Sequence, residues 1–148
     1  MAAVAAVSEE VKDEQVVVLR LGTERYGIDI FRVNEIIRLR EITPLPHTAP
    51  HVRGLVNLRG RTIPVVDLRV RLGMDCGEAT GQARIIVVEA GSGQVGLIVD
   101  EVCEVGTLDG GSIEPPPGLA EGDFVRGVAR RGDRLVALLD LDRTLESP

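Results

Sequence analysis

Short runs of β-branched and aliphatic residues recur along the chain and are separated by turns rich in glycine. Runs of this length, bounded by Gly, Asn and Asp, predict strands rather than helices. The predicted strands cover 15–21, 26–30, 62–66, 83–89, 95–99 and 134–139. Helical signals are weaker: only 67–72 and 140–146 suit short helices, and each begins with an Asp able to act as N-cap. Many short strands joined by tight turns indicate an all-β fold of sandwich or barrel type.

The first part of the chain also resembles the second part. Residues 16–36 align with 85–105 at an offset of 69, and 52–72 align with 125–145 at an offset of 73. Positions that meet identical residues include Gly22, Gly27, Val33, Glu35, Val52, Arg53, Gly54, Arg61, Asp67, Leu68 and Leu72. Chance similarity among Val-rich strands is the alternative, but Gly and Asp match at turns as well.

This repeat predicts two similar halves, about 15–81 and 82–146, after a flexible N-terminal tail over 1–14. A half of about sixty residues buries only about 60% of its surface, so the two halves should pack together. We expect two small barrels that share a hydrophobic core. Apolar residues that recur at matching places are candidates for that seam: Ile28, Ile30, Val33, Leu97, Val99 and Val102.

Composition narrows the class of partner and the compartment. The net charge is −6 and the aromatic residues are only Tyr26, Phe31 and Phe124, which counts against nucleic-acid binding. No apolar run approaches the roughly 18 residues that a membrane span needs, so we expect no membrane insertion. Residues 1–7 are apolar but lack a basic flank, which makes them a poor signal peptide. We therefore expect a cytoplasmic protein whose cysteines, Cys76 and Cys103, are reduced.

Candidate sites for chemistry are few. The run 91–96 fits G-x-G-x-x-G, but strand-like residues follow it where a dinucleotide fold needs a helix, so it indicates a hairpin turn. His47 and His51 have i, i+4 spacing, yet Pro46 and Pro50 interrupt the segment and no third ligand is near in sequence. We expect no cofactor, no metal and no catalytic group. A small enzyme or nucleotide binder using 91–96, or a nucleic-acid-binding barrel, remains the alternative.

Arginines form the most distinctive polar feature. Arg53, Arg59 and Arg61 lie within nine residues, and two of them recur in the second half as Arg126 and Arg134. Arg59 does not recur, because Gly132 takes its place. A residue that breaks the internal symmetry is a functional candidate, while a solvated turn residue is the alternative.

Over about 13–145 the chain resembles the CheW family of chemotaxis coupling proteins. The segments that carry the resemblance are YGIDI at 26–30, VNEI at 33–36, ITPLP at 42–46, GLVNLRGRTIPVVDL at 54–68 and GLIVDEV at 96–102. The pattern G-x-x-N-L-R-G-x-x-x-P-V-x-D-L within 54–68 is the most specific of these.

The resemblance implies two SH3-like five-stranded β-barrels around a shared core, with short helices. It also implies a non-catalytic adaptor that couples chemoreceptor cytoplasmic tips to the regulatory domain of the histidine kinase CheA, in cytoplasmic arrays beneath the membrane, with ring-forming contacts to itself or to the kinase. A scaffold of another two-component pathway, such as twitching or gliding signalling, is the alternative. The family motif places partner-binding or binding-supporting roles on Val33, Glu35, Gly54 and Arg59. The resemblance also implies that Val99 and Val102 line an apolar groove where the helical tip of the receptor docks. Neither the residue pattern nor the family resemblance assigns a role to the proline-rich linker at 115–118.

Overall fold

The computed structural model describes residues 13–75, 80–116 and 124–146 of the 148-residue chain. Its strands are β1 (Glu14–Leu21), β2 (Glu24–Asp29), β3 (Val33–Arg38), β4 (Val52–Leu58), β5 (Arg61–Asp67), β6 (Arg84–Ala90), β7 (Gly93–Val99), β8 (Glu101–Leu108), β9 (Val125–Arg131) and β10 (Arg134–Leu139). The short helices are α1 (Leu68–Arg71), α2 (Leu141–Thr144) and the 3-10 turns Ile30–Arg32 and Gly110–Ser112. Within these segments no helix is long and apolar enough to cross a bilayer.

The predicted elements are present with small shifts at their ends. β10 has its predicted bounds, and β1 begins one residue early, at Glu14, inside the expected N-terminal tail. Asp67 and Asp140 cap the two α-helices as predicted: their side chains accept the N–H groups of Arg69 and Arg143, each at 3.1 Å. The hydrophobic pattern did not delimit β3, β4, β8 and β9.

The strands form two five-stranded sheets with the same internal order. The first sheet runs β8-β1-β2-β10-β9 and the second sheet runs β3-β6-β7-β5-β4. The sequence repeat maps β1 to β5 onto β6 to β10, so each position in one sheet has its repeat counterpart in the other. Each sheet nevertheless contains strands from both halves. The hairpin β1–β2 joins the C-terminal strands, and the hairpin β6–β7 joins the N-terminal ones.

Both sheets are curved, so that the residues that follow one edge strand form a β-bridge with the edge strand on the opposite side of the same sheet. After β3, Thr43 bridges to Leu55 of β4, with its N–H and carbonyl both hydrogen-bonded at 2.8 Å. After β8, Glu114 bridges to Val128 of β9 at 2.9 and 2.8 Å. This closure gives the predicted barrel character, but the expectation that each barrel is formed by one half of the sequence is wrong, because each barrel takes a hairpin from the other half.

Three apolar clusters fill the molecule, because alternate residues of the inner strands point to opposite faces. On β1, Val17 and Leu19 face a central cluster that both sheets share, while Val16 and Val18 face a cluster inside the first sheet. On β6, Ile86 enters the central cluster, while a third cluster fills the second sheet. The predicted seam lies in the central cluster: Ile28, Leu97 and Val99 are buried there, and Ile30, Val33 and Val102 pack against it. The shared hydrophobic core is thus confirmed.

Candidate partner-binding surface

A two-residue turn presents Arg59 at the end of the hairpin β4–β5. Arg59 and Gly60 both have positive φ, +52° and +82°, as the twist of a tight hairpin favours. The carboxamide oxygen of Asn57 fixes the turn by accepting the N–H of Gly60 at 3.0 Å. A left-handed conformation costs a residue with a side chain about 1–2 kcal/mol. The first sheet uses Gly132, with φ +64°, at the position of Arg59. The second sheet therefore keeps an arginine where the backbone favours glycine.

The Arg59 side chain joins the two edges of the second sheet. Its Nη2 donates to Oε2 of Glu35 on the edge strand β3, while its own hairpin carries the opposite edge strand β4. Nearby, Arg40 Nη1 donates to the Asn57 carbonyl at 3.2 Å, which spans the same edges. The Arg59 side chain is 70% exposed, so its guanidinium also faces solvent and any partner that binds there.

An equivalent ion pair joins the edges of the first sheet. Arg131 Nη2 donates to Glu104 Oε1 at 2.9 Å, and Glu104 is the repeat counterpart of Glu35. This hydrogen bond is the main reason that the pKa of Glu104 lies below its usual value. Arg131 precedes the counterpart of Arg59 by one residue. Arg59 is unmatched as a residue, but its bond to a β3 glutamate has a counterpart that the sequence alignment did not reveal.

Gly54 is a buried residue of β4 that allows a close backbone contact beneath the candidate surface. It is buried in β4 beside a break in the pairing register with β5, and its φ is +142°. A Cβ atom there would lie 2.0 Å from the Thr43 carbonyl oxygen. Glycine is therefore required for the close approach that lets Thr43 bridge to β4.

The three valines do not form one exposed strip. Val33 and Val102 are half-buried and pack against the central cluster. Val99 has 0% exposure and lies within that cluster. Its side chain does not line the surface groove expected from the resemblance, because Val99 points to the same inner face of β7 as Val95 and Leu97.

Phe31 is an exposed residue that the site prediction missed. Its side chain is 82% exposed on the 3-10 turn Ile30–Arg32. Asp29 Oδ1 caps the turn by accepting the Phe31 N–H at 2.9 Å, and Arg32 fastens it to the Glu89 carbonyl at 2.9 and 2.7 Å. Exposed aromatics on fixed backbone often anchor interfaces. The sequence did contain a signal for Phe31: its repeat counterpart is the charged residue Asp100, so Phe31 breaks the internal symmetry as Arg59 does.

The remaining polar candidates occupy ordinary structural positions. Residues 91–92 form the turn between β6 and β7, and 93–96 already belong to β7, so this segment is a hairpin followed by a strand, as predicted, and not by a helix. Burial and the nearby Arg71 lower the pKa of His51, and burial raises the pKa of the Cys103 thiol. Among the described residues no group of three or more His, Cys, Asp or Glu side chains is placed to hold a metal. Cys76 and 117–118 of the proline-rich linker lie outside the described residues.

Comparison with known proteins gives consistent matches along nearly the whole chain. The family profile described as CheW-like domain matches residues 15–148. A "Chemotaxis protein CheW" from Rhizobium meliloti is 37% identical over 90% of this chain and 88% of its own, and one from Klebsiella aerogenes is 31% identical over 99% and 90%. The crystal structure of the scaffolding protein TtCheW from Thermoanaerobacter tengcongensis is 40% identical, covers 91% of this chain and 94% of its own, and superposes with a TM-score of 0.85.

Proposed function

This chain belongs to the CheW family of chemotaxis proteins, and we propose that it is a non-catalytic adaptor that couples chemoreceptors to the histidine kinase CheA. The observation that carries the proposal is the agreement of fold over 91% of the chain with a protein described as a scaffold. An adaptor of this kind would work at the cytoplasmic face of receptor arrays.

Its contact surface would lie along β3 and the neighbouring β4–β5 turn. Arg59 and Glu35 supply an exposed charged pair there, and Val33 adds an apolar side chain on the same strand as Glu35. Gly54 would act by holding the barrel closed, and Val99 and Val102 by fixing the core beneath. The supporting argument for Arg59 is its backbone: a non-glycine residue at positive φ indicates a functional constraint.

The test is a calorimetric titration of the full chain with the CheA regulatory domain, and separately with a receptor cytoplasmic tip, from the same organism. Arg59→Ala should keep the fold and weaken binding to at least one partner about tenfold or more, since truncation of an interface arginine costs about 1–4 kcal/mol. Arg131→Ala is the matched control, because it removes the equivalent ion pair of the first sheet.

If both variants bind both partners like the wild type, Arg59 has no role in the interface. Equal losses in the two variants would indicate a purely structural role for the ion pairs. If the wild-type chain binds neither partner, the proposed coupling function itself is wrong for this kinase and receptor.

A further inference from the structure

A small pocket in the first sheet concentrates positive charge in a chain whose net charge is −6. Its volume is about 220 Å³, and its lining includes Arg25, Arg131 and Arg134 together with Cys103 and Glu104. Three guanidinium groups thus face one carboxylate. That carboxylate is already engaged, because Glu104 accepts a hydrogen bond from Arg131.

Two guanidinium N–H groups of this pocket have no oxygen or nitrogen acceptor among the described residues. Beside Arg25 lies the thiol of Cys103, which is a weak acceptor. Among the described residues, the buried side-chain nitrogen and oxygen atoms without a hydrogen-bond partner are Arg25 Nε and Arg131 Nε, and both residues line the pocket. Arg131 uses its other nitrogens on Glu104 and on the Thr107 carbonyl, at 2.9 and 3.0 Å. Buried N–H groups are nearly always satisfied, so a pair of exceptions in one place needs an explanation.

In the second sheet, two of the three arginine positions carry neutral residues, and the position of Arg134 keeps an arginine, Arg61. Gln94 and Asn34, the counterparts of Arg25 and Cys103, form a neutral hydrogen bond of 2.8 Å. The counterpart of Arg131 is Leu58. Because the same fold is built there with neutral residues, Arg25 and Arg131 are not demanded by the barrel.

We propose that this pocket binds a phosphate-class dianion, either inorganic phosphate or a small phosphomonoester. Among the lining side chains, three arginines against one glutamate leave two positive charges, which a dianion neutralises and a single carboxylate does not. Glu24 lies in the neighbouring cleft that Arg25 and Arg134 also line. The guanidinium fork suits the oxygens of a phosphoryl group. A phosphomonoester carries close to two negative charges near neutral pH. This binding site is independent of the adaptor function.

The test is calorimetric titration of the full chain with inorganic phosphate and, separately, with O-phosphoserine, at constant ionic strength balanced with chloride. The variants Arg25→Gln and Arg131→Leu introduce the residues that the second sheet carries, so each is compatible with the fold. Arg61→Gln is the control, because Arg61 is the second-sheet counterpart of Arg134. We expect saturable binding at one site, weakened about tenfold or more in either pocket variant by the loss of charged hydrogen bonds and unchanged in the control.

Tighter binding of O-phosphoserine would support a phosphomonoester as the ligand, and equal or weaker binding would support inorganic phosphate. The proposal is overturned if neither anion binds, if chloride produces the same effect at equal ionic strength, or if Arg61→Gln weakens binding as much as Arg25→Gln. Circular dichroism of each variant establishes that a lost signal is not lost folding.

Discussion

Replacing Gly54 by alanine tests the closure of the second sheet. The new Cβ would lie 2.0 Å from the Thr43 carbonyl oxygen and 2.9 Å from Pro44 Cα, both of them backbone atoms. The segment must therefore move, which breaks the two Thr43–Leu55 hydrogen bonds of 2.8 Å. Their loss costs about 1–3 kcal/mol together. Alanine at a φ of +142°, which residues with a side chain rarely adopt, costs about 1–3 kcal/mol more.

Gly60→Ala is the matched control. Gly60 also has positive φ, but nothing lies within 4 Å of a Cβ added there. Only a backbone penalty applies to this variant. The φ of Gly54, +142°, is at least as unfavourable for alanine as the +82° of Gly60, so the difference between the two variants contains the closure and any excess backbone penalty. Gly127, the counterpart of Gly54, would place a Cβ 3.1 Å from the Glu114 carbonyl oxygen at ordinary φ, so Gly127→Ala should cost less than Gly54→Ala.

The assay is urea and thermal unfolding followed by circular dichroism. At about 2–4 °C per kcal/mol for a chain of this size, Gly54→Ala should unfold about 5 °C below Gly60→Ala. Equal midpoints for these two variants would refute the reasoning, because they would mean that the Thr43 segment moves aside without loss. An unchanged urea m-value is needed for the comparison, since it establishes that both variants unfold from equally compact states.

Three further measurements test other parts of the structure. Val102→Asp should destabilise the fold by about 2 kcal/mol or more, because it places an unpaired charge against the central cluster. The control Val105→Asp, at an exposed position of the same strand, should change stability by less than about 0.5 kcal/mol. Equal effects of the two variants on stability would contradict the burial of Val102. Burial and then Glu24 raise the pKa of Tyr26 to about 12, so the ultraviolet signal of this single tyrosine should report ionisation near that pH in the folded chain. The stability linked to Tyr26 should be complete below pH ~10 and be lost as the pH rises towards 12, and a native titration near 10 would argue against it. Arg131 lowers the pKa of Glu104, so the ionised carboxylate stabilises the fold. The difference in stability between wild type and Glu104→Gln should therefore be present above the ordinary glutamate pKa and vanish as the pH falls through the lowered pKa. A difference in stability that persists in acid would have a cause other than this ion pair.

The sequence predicted the inner strands well because they are buried on both faces. β1 and β6 contain continuous apolar runs, and their central residues are fully buried. The strands that the pattern did not delimit are the four edge strands β3, β4, β8 and β9. An edge strand exposes alternate residues, as in the Val-Asn-Glu-Ile-Ile-Arg of β3, so its signal is diluted by polar residues.

The repeat was also visible, but its spatial consequence was not. Similarity between segments indicates which strands have equivalent positions, and it does not indicate which copies pair. The hydrogen bond between Glu35 and Arg59 could not be predicted either, because it depends on how the two edge strands are placed in space and the two residues lie 24 positions apart in sequence. The burial of Val99, in contrast, could have been predicted from its two-residue spacing to Leu97.

The exchange of hairpins between the halves imposes an order on folding during synthesis. The second sheet is complete once Val99 has been made, because its strands follow one another from β3 to β7. The hairpin β1–β2 has been made by then, but its neighbours β8 and β10 have not. β8 ends 79 residues after β2, so at a synthesis rate of about 5–20 residues per second the hairpin waits about 4–16 s with both edges unpaired. The hairpin β1–β2 is thus made before the other strands of the two sheets but is among the last to gain its neighbours. On a polysome, its unpaired edges make it the segment most open to pairing with another nascent chain.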